Sequence, residues 1–198
     1  PMKKSTTTKP KSDPRPKVKP KAASGHSVST SPKSRPDRDC PLCPRLVAFR
    51  EDNRAAHPDW FNAPVPQFGP IAAPLLIVGL APGLQGANRT GRPFTGDYAG
   101  DLLYQTLLDY GFAAGTYQAR PDDGLRLTGC RISNAVRGVP PQKKPLPIET
   151  PTCRQFLQTT LTEMPRLRAI VALGRVAHPG NRIARYAAFQ HTIHGALP

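Results

Sequence analysis

The sequence predicts an α/β fold built on a mainly parallel sheet. Two short, unbroken apolar runs, Leu75-Leu76-Ile77-Val78 and Ala169-Ile170-Val171-Ala172-Leu173, have the length and composition of strands buried on both faces. Segments with apolar residues at helical spacing alternate with strand-like segments, the pattern of parallel strands joined by crossover helices. A Gly-rich stretch, 79–100, follows the first run directly, at the carboxyl end of a strand where open parallel sheets take their ligands.

Residues 1–38 hold eleven Lys or Arg against two Asp, amid Pro, Ser and Thr and without any apolar period. Such a segment cannot bury enough surface to offset its ordering entropy, which predicts a disordered basic arm ahead of one domain over 39–198. The arm carries +9 of the formal +15 and the domain the remaining +6, so both attract a polyanion, with nucleic acid the expected partner. The arm has no apolar core of a secretory signal, and no run approaches the ~20 apolar residues of a membrane span. A monomer in the cytoplasm is expected.

Pro44 suits the first turn of a helix running to about Ala56, with Leu46, Val47 and Phe49 on its apolar side. The first strand ends in Gly79. The segment Asp101 to Tyr110 places Leu102, Leu103, Leu107 and Leu108 at helical spacing, with Asp101 as N-cap and Gly111 as the stop. A second strand is expected over Gly129 to Val136, a helix over Cys153 to Met164, and a third, buried strand over Ala169 to Gly174. An interrupted helix is expected from Arg175 to Pro198.

Six glycines among the twenty-two residues of 79–100 let backbone amides approach a bound group, while Asn88, Arg89, Thr90 and Arg92 add donors. No Gly-Lys-Ser/Thr ending and no G-x-G-x-x-G is present, so nucleoside-triphosphate and dinucleotide sites are not expected. Asp97 suits either a helix N-cap or a carboxylate placed beside a developing cation. Phe94 fits a core plug or a stacking platform, and Asn134 a strand-end cap or a base-edge reader.

The 79–100 block, followed by Ile132-Ser133-Asn134-Ala135-Val136-Arg137, resembles two motifs of the type 5 uracil-DNA glycosylases, and the similarity extends from about Cys40 to Ala196. The resemblance implies a three-layer sandwich with a central mainly parallel sheet flanked by helices. It implies hydrolysis of the N-glycosidic bond of uracil, and of other deaminated bases, after the nucleotide is flipped out of DNA, the first step of base excision repair. Asp97 would then hold or activate the water and stabilise the cationic sugar. Phe94 would stack on the base, Asn134 would hydrogen-bond its edge, and backbone groups of Leu80, Ala81 and Gly83 would line the pocket. A further His-bearing loop is expected of the family after the third strand; His191 and His194 are not assigned to it, so the domain is expected to be incomplete at its C-terminus. His178 and His57 are expected at a helix cap or the surface. The alternative is a non-catalytic DNA-binding remnant of the family.

Cys40-Pro41-Leu42-Cys43 at the start of an intracellular domain indicates metal binding more than a disulfide, and ligand chemistry alone leaves zinc and iron-sulfur open. The resemblance selects a [4Fe-4S] cluster held by Cys40, Cys43 and Cys153, with Gly138 at the fourth family position, so a labile cluster with one open iron is expected. Eight extended residues, about 26 Å, separate Cys130 from Gly138, which predicts a buried small hydrophobe at Cys130.

Overall fold

A computed structural model describes residues 34–173. In chain order it contains α1 (Pro44–Ala56), β1 (Leu75–Gly79), the single turn α2 (Ala87–Thr90), α3 (Tyr98–Asp109), the short strands β2 (Ala113–Ala114) and β3 (Arg126–Leu127), β4 (Cys130–Asn134), α4 (Glu149–Glu163) and β5 (Ala169–Ala172). The main sheet has the order β4-β1-β5 and is parallel throughout, with Leu75↔Cys130 to Gly79↔Asn134 on one side of β1 and Leu75↔Ala169 to Val78↔Ala172 on the other. β2 and β3 form a separate antiparallel pair.

Alternation along β1 builds three layers. Ile77 packs to one face with Tyr104 and Leu107 of α3 and with Ile132 of β4. Leu76 and Val78 point to the other, against Leu157 and Leu161 of α4. The period of two in a strand thus turns one apolar run into the floor of two cores. A third cluster joins α1 to α4 through Leu46, Val136, Cys153 and Phe156.

Two helix starts and two burial assignments differ from the sequence expectation. Helix α3 starts at Tyr98, and its N-cap is Asp97, whose side chain accepts the Gly100 N–H at 2.9 Å; Asp101 falls in the first turn. The buried face of α3 is Gly100, Tyr104 and Leu107, so Leu102, counted as apolar lining, is 64% exposed. Helix α4 starts at Glu149, ahead of Cys153, because the Glu149 carboxylate accepts the Leu146 N–H at 2.7 Å and pairs with Arg45 of α1 through contacts of 2.7 and 2.8 Å. Strand β5 is partly exposed instead of buried on both faces, since among the described residues it is a sheet edge.

Of the expected basic arm, only residues 34–38 are described, and there the Ser34 carbonyl accepts from Gln67 Nε2 at 2.8 Å. The expected C-terminal helix, with His178, His191 and His194, lies outside the described residues, as does the rest of the arm. No helix among the described residues is long and apolar enough to cross a membrane.

Candidate active site

The carboxyl ends of β1 and β4 meet at Gly79, which pairs in register with Asn134. A Cβ at Gly79 would stand 2.6 Å from Asn134 Oδ1 and 2.8 Å from Phe94 Cε2. Glycine at this strand end is therefore what lets the carboxamide and the ring converge on one spot. Asn134 is only 2% exposed, and its carboxamide oxygen lies at this junction beside the Phe94 ring. A carboxamide beside an aromatic ring at the carboxyl ends of two parallel strands is an arrangement suited to a ligand.

Phe94 holds a φ of +52°, a left-handed conformation that costs a residue with a side chain about 1–3 kcal/mol and persists only where its surroundings impose it. Here the Tyr104 hydroxyl donates to the Pro93 carbonyl at 2.6 Å, and the Tyr117 hydroxyl donates to the Phe94 carbonyl at 3.5 Å. Burial pushes the Tyr104 phenol well above its ordinary range and that of Tyr117 up to about 12, so both remain donors at neutral pH.

Beneath them, Arg92 donates through both terminal nitrogens to Asp123, at 2.8 and 2.7 Å, and through Nε to Thr95 Oγ1 at 2.7 Å. Its guanidinium lies 5.3–5.7 Å from the ring centroids of Phe68, Tyr104 and Tyr117. The loop is thereby pinned to the 118–125 segment, whose Gln118 and Leu125 N–H groups also donate to Asp123. The Arg92 pair holds the Asp123 carboxyl far below the usual carboxylate range. A depressed carboxylate contributes stability that is complete above about pH 4 and is lost as pH falls toward its folded value. Asp123→Asn is expected to lower stability by about 1.5–3 kcal/mol at pH 7, the worth of a hydrogen bond to a charged group, and to flatten the acid limb. Calorimetric melts from pH 7 to 3 measure both; curves identical to the parent's would show that the pair contributes nothing.

Asp97 uses Oδ1 to cap α3, and Oδ2 faces the turn at Gly83 and Gly86, where a Cβ would stand 3.2 and 2.9 Å from it. Capping and presentation of one free oxygen are thus compatible in a single carboxylate. Of the other expected lining residues, Gly83 sits beside Asp97, and Leu80 spends its carbonyl on the Val136 N–H at 2.9 Å. Ala81 packs toward the cluster of Leu46, Val136, Cys153 and Phe156.

A sequence model of the uracil DNA glycosylase superfamily matches residues 66–194, which include this whole constellation. The chain is 44% identical over 171 residues to the type-5 uracil-DNA glycosylase of Thermus thermophilus, a match covering 80% of this chain and 77% of that protein. The chain belongs to the uracil DNA glycosylase superfamily. Type-5 uracil-DNA glycosylases of Mycobacterium bovis and Pyrobaculum aerophilum are 43% and 38% identical over 145 and 143 residues, each match covering 70% of this chain and respectively 54% and 63% of the relative. The chain spans about half the length of the mycobacterial protein.

On the opposite side of β1 from Tyr104, this superfamily member gathers Cys40, Cys43 and Cys153 around Leu46, Val136 and Phe156. Arg50 holds the first of them by donating to the Cys40 carbonyl at 3.1 Å, and the Arg137 N–H donates to Cys153 Sγ at 3.3 Å. Burial pushes the Cys153 thiol up to about 11 and raises that of Cys43. Arg137 is wholly buried among carbonyls and Thr160, with Nε unpartnered. At Gly138 an added Cβ would meet only Leu46, at 3.4 and 3.6 Å. Among the described residues no three His, Cys, Asp or Glu side chains are arranged to hold a metal ion. This donor set does not fit a four-thiolate centre. Cys130 is elsewhere, fully buried between Ile77, Tyr104 and Ile132 at the opposite end of β4.

Sequence reading missed Gly79 as the point on which Asn134 and Phe94 converge, and missed the clamp of Arg92, Asp123 and Tyr104. The Gly79 signal was its place at the end of an apolar strand opposite Asn134; the clamp left none, because its members lie in separate loops and a helix.

Proposed function

We propose that the chain hydrolyses the N-glycosidic bond of uracil in DNA, leaving an abasic site. The observation that carries this reading is the convergence of the Asn134 carboxamide and the Phe94 ring on Gly79 at the carboxyl ends of β1 and β4. A carboxamide offers one acceptor to an imide N–H and one donor to a neighbouring carbonyl, which matches the edge of uracil, while the ring supports its face, worth about 1–3 kcal/mol. Relatives of this chain carry the name uracil-DNA glycosylase, and the non-catalytic alternative draws no support from them.

In this reading the flipped nucleotide enters over Gly79. The C1′–N1 bond breaks, uracil leaves with the electron pair, and the sugar becomes cationic. Asp97 stabilises that charge through Oδ2 and orients a water, which adds to C1′ and gives up its proton through Asp97 to the departing base. DNA is the partner, met inside the cell as a monomer. A [4Fe-4S] cluster is supported by the resemblance alone, since Cys40, Cys43 and Cys153 pack on one core cluster without being arranged as metal ligands. With three sulfurs it would be one protein ligand short, and no step of base release is routed through iron.

The test is an end-labelled oligonucleotide bearing one uracil. The expected product is an intact strand that breaks only after alkali, because 79–100 holds no lysine that could act as an amine nucleophile beside Asp97. Strand breakage without alkali, or an adduct trapped by borohydride, would contradict it.

A further inference from the structure

A groove of about 520 Å³ lies beside the site, lined by Arg38, Arg89, Arg120, Trp60, Phe61 and Thr90. Its wall is tied to the 79–100 loop: the Phe61 N–H donates to the Arg89 carbonyl at 3.0 Å, Asn62 and Asn88 join at 2.9 Å, and the Phe61 ring covers Gly91, where a Cβ would stand 2.7 Å from it. At its inner end the Arg89 guanidinium reaches within 3.1 Å of the Cβ position of Gly96, the residue before Asp97. The groove therefore abuts the catalytic loop and is positioned by it.

Its chemistry is cationic and aromatic. Arg38 and Arg89 have no carboxylate at ion-pair distance among the described residues. Among the described residues Arg120 pairs with Asp122, and both side chains are exposed, so that pair is worth little against a phosphate. One acidic residue, Asp59, lies in the lining. Trp60 has its plane fixed by stacking on His57, with ring centroids 3.9 Å apart and 9° between planes. Cations that can follow a backbone, next to an aromatic ring held in place, are the two parts of a site for single-stranded nucleic acid. A volume of this size suits one nucleotide rather than a folded protein surface.

We propose that this groove is a subsite for a nucleotide of the substrate strand next to the flipped one, with Arg38 and Arg89 on its phosphates and its base against Trp60. The proposal rests on the glycosylase reading, since it needs a strand that continues past the pocket.

Trp60 is the one tryptophan of the chain, so its emission reports the groove alone. The experiment titrates the full chain with a uracil-free single-stranded oligonucleotide, following binding by anisotropy and Trp60 emission together. Emission is expected to quench along the same curve as binding. Arg89→Gln is expected to lower the slope of log affinity against log salt by about 0.7, one phosphate contact on a single strand. Trp60→Ala is expected to weaken binding at least about fivefold, and Trp60→Phe to restore most of it. Unchanged emission at saturation, or an unchanged salt slope in Arg89→Gln, overturns the proposal. Because the probe holds no uracil, that failure is separate from failure of base release, which the labelled uracil oligonucleotide reads on its own.

Discussion

Asp97→Asn is expected to lower the single-turnover rate of uracil release by about 10²–10³-fold, the usual effect of deleting one aligned electrostatic contact to a transition state. Stability is expected to stay within about 1 kcal/mol of the parent. The reasoning is geometric. Oδ1 of Asp97 accepts the Gly100 N–H and caps α3, while Oδ2 faces the Gly83–Gly86 turn. Asparagine is as good an N-cap as aspartate and keeps the first contact, so the substitution removes charge without removing the cap. Asp97→Ala separates the two roles further, adding the loss of the cap, about 1 kcal/mol, to the loss of rate. Binding to uracil-containing DNA should change little in Asp97→Asn, since the carboxylate acts when the sugar becomes cationic. An Asn variant as fast as the parent, together with a destabilised Ala variant, would reduce Asp97 to a helix cap.

Gly138→Cys is expected to raise the iron retained per purified chain, from well below four in the parent, and to raise the melting temperature with it. Cys40, Cys43 and Cys153 are gathered on one core cluster, and position 138 follows Arg137, whose N–H already contacts Cys153 Sγ. A Cβ at 138 would meet Leu46 at ordinary van der Waals distance, so the first atom of a side chain is accommodated there without moving backbone. Metal affinity in such a site is part of folding free energy, and each added kcal/mol is worth about 2–4 °C in a chain of this length. Cys130→Ala should leave iron content unchanged, because Cys130 packs with Ile77 and Ile132 at the far end of β4. Iron content and melting curves of the parent and both variants decide the matter. Full occupancy in the parent that Cys130→Ala abolishes would overturn the argument, as would Gly138→Cys with no gain in iron.

Local rules decided much of this protein before any contact was known. The run Leu75–Val78 reads as a buried strand because four consecutive apolar side chains must point to two faces, and both faces are covered, by α3 and by α4. Helix α1 has the expected bounds because Pro44 favours a first turn, and the Gly-rich block reads as a site because glycines cluster where backbone must come close. Where two local solutions were equally good, sequence could not choose. Asp97 and Asp101 both satisfy the N-cap rule, and the start of α3 was set by burial of Gly100 against the Phe94 backbone and of Tyr104 against the sheet, which also turned Leu102 outward.

The candidate site was decided in three dimensions. Only the parallel register of β1 and β4 puts Asn134 opposite Gly79, and only the strained turn at Phe94, held through Tyr104 and Tyr117, brings the ring to the same point. Arg92 and Asp123 bond across thirty-one positions with no shared motif. Residue types and strand ends are properties of the chain, readable in order. Which separated residues meet is fixed by sheet register and core packing, and those depend on the free energy of the whole fold.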